Sequence, residues 1–537
     1  MNHYPALRRL IAASSAVFIM GVVFALACTS NQPTGAPTPS SNPVPQPVGD
    51  LKTNPWPMWG GSLNRNMVNL RDVNVLTEWD IAKKTNLLWS QELGSKAYGG
   101  PAIGDGKIFI GTNNEKPRDP KVEGDKGIIM CFEEGTGKFL WQRVHDKLPS
   151  GIVSDWPREG ICSTCAIDGK KIYYVSNRCE LVCATTDGKD VWSLDMIKEL
   201  GVFPHNLSTS SPLVAGDLVF AVTSNGVNEN HIDIPAPAAP SFVAVNKNTG
   251  KVVWTNNDPS KNLLIAAKGD KGGESLFKVL LDKGEILMHG QWSSPVYAVA
   301  NGKPQIIFPG GDGWLRAYEP ESGKEIWRFD CNPRASKYKL GGAGTRNDFI
   351  STPVVHDNKV YIGVGQDPEH RLGIGHFWCV DITKKGDVSP KDDNFDPKAP
   401  VNKDSALVWH YGEPAPKEWK KGRNYVFGRT LSTAAVNDGL VYIAELASYL
   451  HCLDAKTGEQ YWTHYLDSPI WSSPYWVDGK VFLGTDGDLV HIFEHGKKKN
   501  LIRSLDMGGK VRSTPVVANG IMYIMNEHEL FAIGNKK

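Results

Sequence analysis

The sequence has almost no excess of either charge: 59 lysines and arginines face 58 aspartates and glutamates, a formal +1 over 537 residues. That balance removes the electrostatic reason to expect nucleic acid as a partner. None of the nine cysteines is adjacent to another. Cys162-x-x-Cys165 is followed by Ala166 rather than His, which excludes haem attachment there. Little favours long helices either. Gly (54), Pro (35) and Trp (17) are abundant, a composition suited to many short strands joined by tight turns.

The first 50 residues read differently from the rest. Arg8 and Arg9 precede an uncharged, mostly apolar run from Leu10 to Ala27, as in an export signal. The run ends in Ala25-Leu26-Ala27-Cys28, which resembles the lipobox of bacterial lipoproteins and makes Cys28 the expected lipidation site. The competing reading is an uncleaved anchor, because the run approaches the ~20 residues that span a bilayer. Residues 1–28 are thus read as a lipoprotein-type signal peptide. Both readings place the remainder outside the cytoplasm, on the periplasmic side of a bacterial membrane. Residues 29–50 hold six prolines among Ser, Thr, Asn, Gln and Gly, too little apolar surface to fold, and are read as a tether.

From residue 51 onward the sequence repeats. Ser432-Thr433-Ala434, Ser473-Pro474 and Ser513-Thr514-Pro515 open three copies whose marker positions 434, 474 and 515 are 40 and 41 residues apart. The same start recurs at Pro101, Cys165, Pro212, Pro295 and Pro353, giving eight copies. Each reads as strand, Asp/Asn-Gly turn, strand, turn, strand, Thr-Gly-Lys-type turn, and a strand with a tryptophan at 141, 192, 254, 327, 409 or 462. Ile502 takes the tryptophan's place in the seventh copy. Four antiparallel strands per ~40 residues is the sequence form of a propeller blade. The eighth copy lacks a fourth strand, and Leu87-Leu88-Trp89-Ser90 is spare ahead of the first. The expected fold is an all-β, eight-bladed β-propeller over residues 51–537, closed by that N-terminal strand.

Repeats of the form Ser-Pro-x-x-x-x-Gly-Lys-Val-Tyr followed by Ala/Cys-Leu-Asp-x-x-Thr-Gly-x-x-x-Trp resemble the pyrroloquinoline-quinone (PQQ)-type repeat, and Trp56-Pro57-Met58-Trp59-Gly60-Gly61 resembles the family's entry segment. The resemblance covers residues 54 to 537. The family holds both quinone-dependent dehydrogenases and cofactor-free envelope lipoproteins, so the resemblance implies the fold more sharply than the activity. The dehydrogenases carry a vicinal cysteine pair over the cofactor. Its absence here, with that of any haem motif, weighs against an enzyme.

In a propeller the first-second and third-fourth turns lie at one end, the bottom, and here most are minimal. The insertions 113–127, 226–240, 255–290, 366–376 and 410–428 fall on the opposite, top face, and only 383–405 falls on the bottom. Long loops on a rigid scaffold are where binding resides. Trp292 and Trp471 precede the Ser-Ser-Pro that begins an inner strand, which places them at the upper rim of the axial channel. Cys162, Ile350 and Arg512 hold the same position in other blades, and Arg429, Arg158-Glu159 and Arg346-Asn347-Asp348 lie near it. PQQ with calcium would need aromatic faces, arginine forks and acidic or amide oxygens. Trp292, Trp471, Arg346, Arg429 and Arg512 are the candidate contacts, with Asp348 or Glu159 as base. The alternative is an ordinary wet channel lining in a scaffold that binds envelope proteins or a small molecule at its top face.

Cys131, Cys183, Cys379 and Cys452 share a repeat position filled elsewhere by Ala244, Ala317 and Ala532, a small-residue packing slot. Cys162 and Cys179 fall near the top of blade two, close enough for an expected disulfide. His205, His231, His289, His370 and His376 lie in top loops. No pair has ligand spacing on a regular element, and no metal centre is expected.

Overall fold

The computed structural model describes residues 53–229, 231, 234–261, 288–338, 344–366, 372–412 and 423–535. The signal peptide, the tether, Cys28 and His370 lie outside the described residues. Alternating apolar runs separated by Asp-Gly or Asn-Gly fold as antiparallel hairpins. At Asp105-Gly106 and Asn519-Gly520 both residues have positive φ, as a two-residue turn matched to strand twist requires.

Eight sheets result. Blade one comprises Ala102–Gly104, Lys107–Asn113, Lys126–Glu133 and Phe139–Asp146. Blades two to seven span 166–195, 213–256, 296–330, 354–411, 435–465 and 475–506. In the eighth, the three strands of 516–533 are completed by Leu87–Glu92, which pairs antiparallel with Glu529–Ile533. The bottom insertion folds back on the preceding blade: Gly386–Asp387 adds a parallel strand beside Trp327 and Arg328. Burial falls outward, from Val516–Ala518 on an inner edge, wholly buried, to the mostly exposed outer strand Leu501–Asp506.

The blade-closing tryptophans hold the ring together, and the register shows how. Trp141, Trp192, Trp409 and Trp462 sit directly across the ladder from Cys131, Cys183, Cys379 and Cys452, while Trp254, Trp327 and Trp89 face Ala244, Ala317 and Ala532. The small slot makes room for the indole. Each ring then docks on the next blade's outer turn. Trp192 Nε1 donates to Lys247 O at 2.9 Å, Trp254 Nε1 to Pro320 O at 2.7 Å, and Trp462 Nε1 to Gly496 O at 3.0 Å. Trp327 departs from this because the insertion replaces the turn it would meet. It is fully buried and donates to Gln305 of its own blade at 2.6 Å. The seventh blade requires a correction: Ile492 faces Arg503 across the ladder, so Arg503 and not Ile502 holds the tryptophan position. Ile502 is the residue skipped at the bulge that follows the slot.

A Cβ on Gly188, at φ +85°, would lie 2.9 Å from the Trp141 ring, whereas one on Gly169, at φ +59°, would meet nothing within 4 Å. Gly188→Ala is therefore expected to cost about 2–3 kcal/mol, and Gly169→Ala only the backbone strain of about 1 kcal/mol. Equal losses in urea midpoint for the two variants would contradict interblade docking as the cause.

Between Trp56 and Asn69 the chain crosses the bottom of the ring and bonds to all eight blades. Trp56 exchanges backbone bonds with Ile103, at 3.0 and 2.8 Å, and Pro57 O accepts from Ile167 N at 2.8 Å. Arg65 donates to Ser211 O, Pro212 O and Pro295 O. Leu63 O and Asn64 O accept from Tyr297 N and Val355 N, both at 3.0 Å. Asn66 brackets Val436 through its side-chain amide, Met67 O accepts from Trp476 N, and Asn69 Nδ2 donates to Val517 O. This segment closes the axial channel from below.

Candidate functional site

Closure from below leaves a cup that opens at the top, a cavity of about 390 Å³. That volume lies within the range of small-molecule sites. One repeat position builds its wall. The residue three before each blade's marker is Tyr98, Cys162, Thr209, Trp292, Ile350, Leu431, Trp471 or Arg512, and all eight line the cavity. Two residues further on, Thr164, Ser211, Ser294, Thr352 and Thr433 form a lower hydroxyl ring. The strand's period of two carries both rings to the axis and turns the residue between them into the blade. Ser163, Ser351 and Ser472 accordingly donate to Val175 O, Gly363 O and Gly484 O within their own blades. The lower ring also joins blade to blade: Gly100 N donates to Thr164 Oγ1, Thr164 N to Ser211 Oγ, and Ser211 N to Ser294 Oγ, at 2.8–3.0 Å. Trp59, from the crossing segment, forms part of the floor and donates from Nε1 to Thr433 Oγ1 at 3.1 Å.

Of the residues expected at the rim, Trp292, Trp471, Cys162, Ile350, Arg512 and Glu159 reach the cavity. Trp471 packs against Tyr98, with ring centroids 5.8 Å apart, and the Arg512 guanidinium lies 5.0 Å from the Trp471 ring centroid. Arg512 forks both carboxylate oxygens of Asp486, at 2.9 and 2.8 Å, donates to Tyr98 Oη at 2.9 Å, and lies 3.4 Å from Glu527. Burial, with the Glu159 charge nearby, pushes the Tyr98 phenol well up, so it stays protonated. Glu159 is paired with Lys96. Tyr98, Thr209 and Leu431, in the same repeat position, and Trp156 from the loop above complete the wall.

Asp348, Arg346 and Arg429 are not among the cavity-lining residues. Arg346 is turned outward, donating to Asp330 at 2.9 Å and to Asp312 O at 2.8 Å. Burial lowers the Arg429 pKa, and the Asp348 charge opposes that shift. These residues lie five or more positions before the marker, above the stretch whose direction the inner strand fixes. The consequence for PQQ is a mismatch of charge. Arg512, the one arginine among the described lining residues, is already forked by Asp486, and the lining carboxylate Glu159 is already paired. The set as placed does not fit a molecule with three carboxylates and a calcium ion.

The expected disulfide is also corrected: Cys162 and Cys179 are both free thiols. Cys162 faces the axis, while Cys179 points into the interface with blade three and donates from Sγ to Thr223 O at 3.0 Å. Burial raises the Cys179 pKa to about 12.

The histidines are grouped by the fold where spacing gave no sign of it. His205, His231 and His289 stand together behind Trp292, with one ring nitrogen from each within 4.8 Å of the other two. His376 instead faces His410, at 2.9 Å.

Four-stranded blades in eightfold array, a tryptophan-docked ring and an axial cup define a PQQ-type-repeat β-propeller. The family model described as "Outer membrane protein assembly factor BamB" matches residues 125–388 and 399–500, and the chain belongs to that family. It is 22% identical over 305 residues to the outer membrane protein assembly factor BamB of Shewanella oneidensis, covering 52% of this chain and 62% of that protein. It is 26% identical over 298 residues to a lupanine 17-hydroxylase (cytochrome c) of a Pseudomonas species, covering 51% and 36%. The matched stretch is less than two thirds of either relative's length. A europium-containing methanol dehydrogenase superposes with a TM-score of 0.56 at 14% identity, covering 88% of this chain and 89% of that chain, a likeness of fold.

Proposed function

We propose that the chain is a binding module of the bacterial envelope, held to a membrane through Cys28, and that its axial cup receives a small neutral ring. The observation that carries this is the cup itself. Tryptophan and tyrosine faces stand over a ring of hydroxyls, and among the described residues each charged group on the wall is matched by a partner. A neutral ring gains aromatic contact and hydrogen bonds there without separating an ion pair. The relatives point two ways, to an assembly factor and to dehydrogenases. The matched charges of the wall favour the binding module over quinone-dependent oxidation of an alcohol or sugar. The elaborated top face around the cup remains the surface for envelope proteins.

Tryptophan fluorescence of the purified chain checks this. Titration with phenyl β-glucoside, a neutral aromatic ring bearing hydroxyls, is expected to give a saturable change that Trp292→Ala or Trp471→Ala weakens at least ~10-fold, the equivalent of about 1.4 kcal/mol. PQQ with calcium is expected to give none, and to support no dye reduction with ethanol or glucose. Saturable micromolar binding of PQQ with dye reduction would overturn the proposal in favour of the dehydrogenase.

A further inference from the structure

His205, His231 and His289 come from three separate top segments, the blade two-to-three loop, the blade three insertion and the blade three-to-four loop. We infer that they form a metal site, and that the ion it takes is zinc. This rests on the placement of the three side chains and not on what the cup binds.

Three observations converge. The first is the grouping. His289 Nε2 and His231 Nδ1 are 3.1 Å apart, and the three rings pair at centroid distances of 4.6, 4.8 and 4.9 Å. Ligand nitrogens at about 2.0–2.1 Å from a tetrahedral ion would be about 3.4 Å from each other. Side-chain adjustment alone closes the difference.

The second is the support behind the group. Nδ1 of His289, the ring nitrogen other than the one facing His231, lies 3.6 Å from Asp348 Oδ2. That is a charge contact and not a hydrogen bond; a shift of about half an ångström brings Oδ2 to where it accepts the Nδ1 proton, as the carboxylate behind a metal-bound imidazole does. Asp348, absent from the cup wall, thereby acquires a role as a positioning residue. The third is the backbone. A Cβ on Gly226 would lie 2.7 Å from His205 Cβ and 2.6 Å from His289 O, so glycine at that place lets the two histidine segments close on each other.

The donor set narrows the ion to those that take imidazole, and a tetrahedral three-histidine site with an open fourth position is the geometry zinc accepts. Three imidazoles without a thiolate suit zinc, copper or nickel and disfavour calcium or magnesium, which prefer oxygen. His205 and His289 are buried and His231 is half-buried. A tetrahedral ion therefore keeps its fourth position for water or an incoming group on the His231 side. Trp292 joins the site to the cup: its ring packs on His289 and His205, at 5.4 and 5.7 Å, and lines the cavity.

The test uses tag-free full-length chain, stripped with a chelator and desalted. Metal analysis after zinc loading is expected to find one equivalent per chain. Cobalt(II), used as the optical probe, is expected to give a visible tetrahedral ligand-field spectrum that zinc displaces, and to quench Trp292. Asp348→Asn should weaken binding about 10–100-fold. His231→Gln, on the half-buried ligand, should weaken it further with an unchanged circular dichroism spectrum, and His376→Gln should leave it unchanged. No stoichiometric metal and no cobalt spectrum in the unaltered chain would overturn the assignment. So would full affinity in a folded His231→Gln variant. Should His231→Gln misfold, the wild-type stoichiometry and spectrum decide the question.

Discussion

Arg65→Ala is expected to lower the stability of the propeller by about 3–5 kcal/mol, the loss typical of breaking a buried charged network. Arg65 is fully buried, and its guanidinium spends its donors on four backbone carbonyls: Trp59, Ser211, Pro212 and Pro295, at 2.9–3.1 Å. Three of those carbonyls belong to blades three and four, the fourth to the crossing segment itself. Burial lowers the pKa to about 9, so the side chain is still charged at neutral pH. Alanine would leave the carbonyls without donors and a void beneath the cup. Lysine would keep the charge but not the planar fork that reaches three directions, so Arg65→Lys should recover less than half the loss. The measurement is the urea midpoint of the three proteins, read alongside Trp59 fluorescence from the floor. A midpoint for Arg65→Ala within 1 kcal/mol of wild type would show that the crossing segment does not hold the ring.

That segment is also the part of the fold least legible in the sequence. The blades are legible because each repeats the same local chemistry: a marker, a two-residue turn, a small slot and a tryptophan. The crossing segment meets eight blades within fourteen residues at uneven intervals, so nothing in it repeats, and only Trp56 to Gly61 carries a recognisable pattern. The cup wall is partly legible. Counting back from the marker finds Trp292, Trp471, Cys162, Ile350 and Arg512, and the same count in every blade adds Tyr98, Thr209 and Leu431. Arg346, Arg429 and Asp348 fall elsewhere than expected because they lie in loops whose direction no strand dictates. The histidine group carries no sequence signal, since its members are tens of residues apart on irregular segments. Cys162 and Cys179 do share one blade, but one side chain follows the inner strand to the axis and the other enters the next interface.

Glu445→Ala is expected to cost a similar 3–5 kcal/mol, for the opposite reason of charge. Glu445 is fully buried at the end of a blade six strand, and it accepts from both terminal nitrogens of Arg423 and from Gly428 N. His451 Nε2 stands 3.7 Å away. Burial alone would raise the carboxyl's pKa, but His451 and Arg423 more than offset it and hold the group below its ordinary value. The ion pair thus ties the described end of the 410–428 insertion to the rigid blade, and the Arg423 guanidinium is stacked 4.4 Å from both Tyr425 and Tyr449. Removing the carboxylate alone leaves a desolvated guanidinium without its counter-charge. Removing both charges, as in Arg423→Met with Glu445→Leu, should restore most of the loss, because the pair's net contribution is small once desolvation is counted. The pH dependence follows from the depressed folded-state pKa. The stabilisation is present above the ordinary carboxyl value near 4.5 and is lost as pH falls through the folded value. The gap between wild type and Glu445→Gln should therefore narrow on acidification below about pH 4.5, read from urea midpoints across that range. A gap that stayed constant, or a double variant no more stable than Glu445→Ala, would mean that the insertion is anchored by packing and not by charge.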